Sequence, residues 1–134
     1  MRNHPVTLEI NRDYADTMHR CRIKREFTEE GTWITDDVEK LYMELYRAGY
    51  GISAEAFVDG ELAGGFYGVR INRCIIVESM FSDMPNGSKM ALSLFVKTPE
   101  EQNSIFDMQV PSDYLTAMGA KTISYDEYRQ YLLP

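Results

Sequence analysis

Residues 52–69, ISAEAFV-DG-ELAGGFYGV, are the segment from which the architecture can be read. Asp59-Gly60 separates two runs rich in apolar, β-branched and aromatic residues. An Asp-Gly pair in that setting is the strongest short hairpin signal, because the favoured type I′ hairpin turn needs positive φ at both central positions. Cys74 to Phe81 (CIIVESMF) follows a short turn at Ile71 to Arg73 and reads as a third antiparallel strand. Working outward, Val6 to Ile10 alternates and adds a short strand ahead of this meander. Asn11 is suited to cap a helix carrying Tyr14, Ala15, Met18 and Cys21 at helical spacing. Thr35 opens a second helix. Asp36 and Asp37 lie in its first turn, Val38, Leu41, Tyr42 and Leu45 form its apolar stripe, and Gly49 stops it.

Downstream of the meander, a helix is expected over 88–96 with Ala91, Leu92 and Phe95 on one side, limited by Pro99. Ser104 to Val110 reads as a strand and Ser112 to Met118 as a short helix ended by Gly119. Lys121 to Ser124 reads as a short strand and Tyr125 to Leu132 as a last helix. The order β-α-α-β-β-β-α-β-α-β-α implies a mixed sheet with helices packed on it, an α+β class.

The chain has 134 residues, close to one domain at ~150 residues each. Hydrophobic residues make up 44% and charged residues 26%, a globular balance. Fourteen Lys and Arg against 21 Asp and Glu give a net charge of −7, which disfavours a protein whose main task is gripping a phosphate backbone. The basic run Arg20 to Arg25 reads first as a solvated helix end and only second as a phosphate contact. Cys21 and Cys74 have no second Cys or His at ligand spacing, so no metal site and no disulfide framework is expected, only two buried reduced thiols. The first residues lack the apolar core of a signal peptide, and no apolar run approaches ~18 residues. A cytoplasmic protein without a membrane span is the expectation.

The common catalytic signatures are missing: no phosphate loop, no dinucleotide fingerprint, no nucleophile elbow. His4 and His19 have no nucleophile beside them in sequence, so histidine-driven acid–base chemistry is not expected. Glu78, inside the apolar run 75–81, shares a face with Ile76 and Met80 by alternation; it either faces solvent or is buried with a partner. Asp107 and Gln109 share a face opposite Phe106, Met108 and Val110. That face is either the solvent side of an edge strand or the floor of a cleft, and periodicity alone favours solvent. Gly64-Gly65 and Gly68 interrupt a good strand and mark a bulge or a close approach. Trp33, the single tryptophan, is a core residue or a pocket wall.

Taken together, ordered blocks carry a resemblance. Glu29 to Ile34 (EEGTWI), Gly64 to Val69 (GGFYGV), Glu78 to Ser82 (ESMFS), Asn86 to Lys89 (NGSK) and Asp107 to Val110 (DMQV) are similar in order and spacing to bacterial leucyl/phenylalanyl-tRNA–protein transferases. The resemblance spans roughly residues 6 to 132. It implies a GNAT-like (acyl-CoA N-acyltransferase-like) mixed sheet flanked by helices, over a single domain, 1–134. Members of that family usually carry a further N-terminal domain, and the resemblance implies that this sequence corresponds to the part that follows it.

The implied activity moves Leu, Phe or Met from an aminoacyl-tRNA to the N-terminal amine of a protein beginning with Arg or Lys, an N-degron tag for degradation. No cofactor is implied, since the donor ester is already activated. By resemblance Asp107 and Gln109 are the catalytic pair, and Glu78 holds the donor's α-amino group. Phe66, Met80, Leu92, Phe95 and Phe106 form a pocket for its apolar side chain, and Trp33 stacks near the terminal adenine. Departures from the family pattern are Tyr114 for His, Met108 for Cys and Phe66 for Met. Two other functions compete: transfer from a smaller donor, such as an aminoacyl-adenylate or acyl-thioester, and a non-catalytic relative that binds N-termini.

Overall fold

A computed structural model describes residues 5–26, 34–109, 116–117 and 119–134. Its centre is the expected meander: β2 (Gly51–Val58), β3 (Glu61–Ile71) and β4 (Cys74–Ser82), each antiparallel to the next. Asp59 and Gly60 turn the first hairpin with φ of 52° and 83°, the paired positive values such a turn requires. β1 (Val6–Ile10) pairs antiparallel with β2 on one edge. On the other edge β5 (Ile105–Asp107) pairs parallel with β4, giving the order β1-β2-β3-β4-β5.

Among the described residues, three helices cover the sheet. α1 (Tyr14–Glu26) and α2 (Asp36–Arg47) lie on one face, where Tyr14, Met18, Cys21, Ile34, Tyr67 and Phe81 form a buried cluster. α3 (Gly87–Val96) packs Ala91, Leu92 and Phe95 on the other face, against Ile52, Ala54, Phe66, Ile75 and Val77. Thr35 caps α2 by accepting the Val38 N–H, and Gly49 at φ 94° ends that helix, both as the sequence indicates. α4 (Tyr125–Leu132) is capped by Ser124, which accepts the Glu127 N–H.

Three expectations need correction. Asn11 does not cap α1: its Oδ1 accepts the Ser53 N–H of β2 at 2.7 Å, and Asp13 Oδ1 accepts the Asp16 N–H at 3.0 Å in its place. Lys121 to Ser124 forms no strand; its last residue is occupied in capping α4. The strand expected over Ser104 to Val110 holds ladder geometry only over Ile105–Asp107, because the chain turns to a positive φ of 70° at Gln109. Val110 and most of the helix expected at Ser112 to Met118 lie outside the described residues, as does Trp33.

Among the described side chains of the basic run of α1, Arg20, Arg22 and Lys24 are engaged in ion pairs. Arg20 bonds Asp16 and Asp83, Arg22 bonds Asp36, and Lys24 bonds Asp83. These exposed pairs fix α1 against α2 and the β4–α3 turn, at ~1 kcal/mol or less each. Cys21 and Cys74 are buried and neither forms a disulfide.

One buried carboxyl sets a pH dependence. Glu55 on β2 is 3% exposed and accepts from the Arg12 N–H and the Thr17 hydroxyl, 3.0 Å each. Burial pushes its pKa above the ordinary carboxylate value despite those bonds. The native state therefore holds this proton more tightly than the unfolded chain does. The group's destabilising contribution is absent below the unfolded pKa and complete above the folded one. Glu55→Gln keeps the shape and removes the titration. In urea unfolding from pH 4 to pH 8, the variant should gain on the parent as pH rises; a difference independent of pH would remove Glu55 as the cause.

Candidate active site

The site begins with a register error in the sheet. Tyr67 pairs with Ser79 but Gly68 pairs with Val77, so Glu78 is an extra, bulged residue on β4. The sequence explains why it sits there. A Cβ on Gly68 would stand 1.9 Å from the Ile76 carbonyl oxygen, so only glycine permits the approach. The Tyr14 hydroxyl, reaching down from α1, donates to the Gly68 carbonyl at 2.9 Å.

The bulge reverses the facing of β4. Ile75 and Val77 point into the α3-side core, and after the bulge Met80 does so, while Phe81 turns to the α1 side. Simple alternation, which placed Ile76, Glu78 and Met80 on one face, fails at this position. Glu78 is half-buried and meets Tyr42 of α2, whose hydroxyl bonds its carboxylate. Burial first, then the charge and hydrogen bond of Glu78, push the Tyr42 phenol well above its usual range. The nearby Tyr67 hydroxyl is buried and has no hydrogen-bond partner among the described residues.

Where β4 bulges, β5 departs. The ladder runs only from Cys74↔Ile105 to Ile76↔Asp107. Beyond it, the side chain of Gln109 takes over: its Nε2 donates to the Val77 carbonyl at 2.9 Å and approaches Glu78 Oε2 at 3.5 Å. Asp107 Oδ1 accepts the Gln109 backbone N–H at 2.7 Å, which holds the left-handed turn. A non-glycine residue at positive φ is uncommon and gathers at functional positions. Asp107 Oδ2 accepts from the Tyr128 hydroxyl of α4 at 2.7 Å. The link from Asp107 to Gln109 thus runs through the peptide N–H and leaves the Gln109 side-chain amide to bridge to β4.

Glu78, Asp107 and Gln109 are therefore brought together at the fork between β4 and β5. The apolar residues are arranged in depth. Phe66, Leu92 and Phe95 are closed into the core, at 0, 6 and 1% exposure. Met80 and Phe106 are half-buried at its edge. Phe95 meets Phe66 and Phe106 edge-on, with centroids 5.2 and 5.7 Å apart. An open groove of about 380 Å³ beside β1 and α3, lined by Val6, Asn86, Lys89, Met90, Ser93 and Leu94, touches none of these residues.

Tyr42 and Tyr128 escaped the sequence reading. In sequence Tyr42 reads as part of an apolar stripe, although a hydroxyl on a core-facing helix position is itself a signal that a polar partner lies opposite. Among the described residues no group of three or more His, Cys, Asp or Glu could hold a metal ion, and no helix is long and apolar enough to cross a membrane.

A sheet that opens between two adjacent strands, with helices on both faces, is the framework of the GNAT acyltransferases. A possible acetyltransferase from Clostridium difficile 630 has this fold, with a TM-score of 0.61 at 13% identity, over 90% of this chain and 93% of that one. The ribosomal-protein-alanine N-acetyltransferase of Brucella melitensis biovar Abortus 2308 has a TM-score of 0.56 at 14% identity, over 91% and 95%. At these identities the likeness speaks to fold alone.

Sequence likeness goes further. The family model described as leucyl/phenylalanyl-tRNA protein transferase matches residues 1–133, and the chain belongs to that family. Proteins named leucyl/phenylalanyl-tRNA–protein transferase are 35% identical in Prosthecochloris aestuarii, 35% in Pseudomonas fluorescens strain Pf0-1 and 40% in Saccharophagus degradans. The alignments cover 98, 98 and 93% of this chain but 68, 58 and 51% of those proteins. The chain thus spans between about half and two thirds of the length of these relatives.

Proposed function

We propose that this chain transfers an apolar aminoacyl group from the 3′ end of a tRNA to the N-terminal amine of a protein. The observation that carries the reading is the meeting of Glu78, Asp107 and Gln109 at the strand fork, beside the half-buried edge formed by Met80 and Phe106. The reaction is aminolysis of an ester. The acceptor nitrogen attacks the aminoacyl carbonyl, a C–N bond forms, the bond to the ribose oxygen breaks, and the amine's proton ends on that oxygen.

Each residue has a task in this scheme. Glu78 holds the donor's α-ammonium by a charge-assisted hydrogen bond. Gln109 Nε2 is committed to Val77 and Glu78, so its Oε1 is the atom that can accept from the attacking amine. Asp107 holds Gln109 in its turn and draws the departing proton. The donor side chain lies against Met80 and Phe106, with the buried Phe95 and Phe66 rings behind. Thioether and ring surfaces of this kind suit a Leu, Phe or Met guest. Because the ester is already activated, alignment supplies most of the acceleration.

The acceptor is a protein beginning with Arg or Lys, which makes the product a degradation tag. Support comes from charge: Asp107 at the fork, Asp126 and Glu127 in the first turn of α4, and a net charge of −7 favour a cationic N-terminus. One observation favours a smaller donor as second reading. Arg20, Arg22 and Lys24 are taken up by intramolecular ion pairs and so are not poised for a tRNA backbone.

The test is transfer of labelled Phe from Phe-tRNA, or from a 3′-aminoacyl-adenosine, to a peptide beginning with Arg. Product from the tRNA supports the first reading. Product only from the short donor supports the second. No product from either, at high protein concentration, removes both.

A further inference from the structure

We propose that Tyr128 of α4 is a positioning residue for this site, locking Asp107 and through it the turn that presents Gln109; the inference rests on the reading of the fork as an acyl-transfer centre. α4 has no buried residue, so it is not held to the domain by an apolar stripe. It is held by polar clips at its C-terminal end. The Arg73 N–H donates to the Tyr131 carbonyl at 3.0 Å, and its guanidinium donates to the Gln130 carbonyl at 2.9 Å. Asn72 Nδ2 donates to the Leu132 carbonyl, and Arg73 stacks on the Tyr131 ring at 4.9 Å. These contacts fix α4 to the two-residue turn between β3 and β4. Tyr128, near the middle of the helix, is thereby aimed at Asp107.

The bonding has one direction. The buried Cys74 thiol donates to the Tyr128 oxygen at 3.3 Å, which leaves the phenol proton for Asp107 Oδ2 at 2.7 Å. With Oδ2 occupied, Oδ1 faces the Gln109 N–H at 2.7 Å. That bond holds Gln109 at a φ of 70°, from which its Nε2 reaches the Val77 carbonyl. The chain thiol, phenol, carboxyl, amide therefore ends at the group assigned to the attacking amine. Bonds in such a series reinforce one another, and losing one member loosens those beyond it. Tyr128 touches neither donor nor acceptor in this scheme; it acts only through Asp107.

The experiment compares the full chain with its Tyr128→Phe variant, which keeps the ring and removes one oxygen. In the Phe-tRNA assay, kcat should fall roughly 10-fold to 100-fold, while KM for the charged tRNA changes by less than about twofold. In ¹⁵N spectra, the Gln109 backbone amide should exchange roughly tenfold faster, with β3 amides unchanged. If kcat and the Gln109 amide both stay at parent values, the proposal is overturned. It is also overturned if β3 amides loosen together with Gln109, or if KM rises as kcat falls, because Tyr128 would then be only a helix anchor. Should the parent chain transfer nothing, the functional reading fails, and the Gln109 amide by itself decides the positioning claim.

Discussion

Asp107→Asn should lower the turnover of aminoacyl transfer at least about 100-fold while leaving KM for the charged tRNA within about twofold, measured with Phe-tRNA and an Arg-initiated peptide. The substitution is nearly isosteric. An Asn oxygen can still accept the Gln109 N–H that Asp107 Oδ1 accepts at 2.7 Å, and the Tyr128 hydroxyl can reverse its bond to accept from the new amide. What disappears is the negative charge beside the proton being moved. The fold should therefore survive, with stability within about 1 kcal/mol of the parent. Equal losses in turnover and donor affinity would show that Asp107 merely braces the turn after β5.

Gly68→Ala should have the largest effect on stability. Its Cβ would lie 1.9 Å from the Ile76 carbonyl oxygen and 3.2 Å from Val77 Cα, both backbone atoms of the neighbouring strand. No rotamer change relieves that contact, so β3 and β4 must separate where Glu78 bulges. Overpacking of a core commonly costs 1–3 kcal/mol, and a clash with backbone belongs at the upper end, about 3 kcal/mol or ~10 °C in Tm for a chain of this size. Loss of activity should exceed loss of fold, because the bulge that presents Glu78 is the part displaced. A thermal midpoint within about 2 °C of the parent would mean that the two strands accommodate a methyl group there and that Gly68 does not build the bulge.

Much of the framework was legible because its signals are local. Asp59-Gly60 specifies its turn by backbone chemistry alone, Thr35 and Gly49 bound α2, and the spacing of Ala91, Leu92 and Phe95 identifies the buried side of α3. The site was less legible from periodicity. Gly68 signalled a bulge or close approach, but which residue of the partner strand would be extruded depends on Tyr14 arriving from α1, a tertiary contact. Alternation consequently misassigned the facing of Met80. It also favoured solvent for Asp107, which is half-buried, since nothing in residues 104–110 reports that Tyr128 will bond to it. The strand expected at Lys121 to Ser124 does not form; Ser124 is used instead to cap α4, where its hydroxyl accepts the Glu127 N–H. The juxtaposition of Glu78, Asp107 and Gln109 came from the resemblance of ordered blocks, where each block alone was weak.

The most direct measurement is the affinity of the chain for a non-hydrolysable 3′-aminoacyl-adenosine bearing a Phe side chain, titrated by calorimetry. A donor ammonium seated on Glu78 predicts measurable binding that weakens roughly tenfold in Glu78→Gln, through loss of one charge-assisted bond, and is unchanged in Arg20→Gln, whose guanidinium pairs with Asp16 and Asp83. Identical affinity in the parent and Glu78→Gln would contradict a donor site at the strand fork.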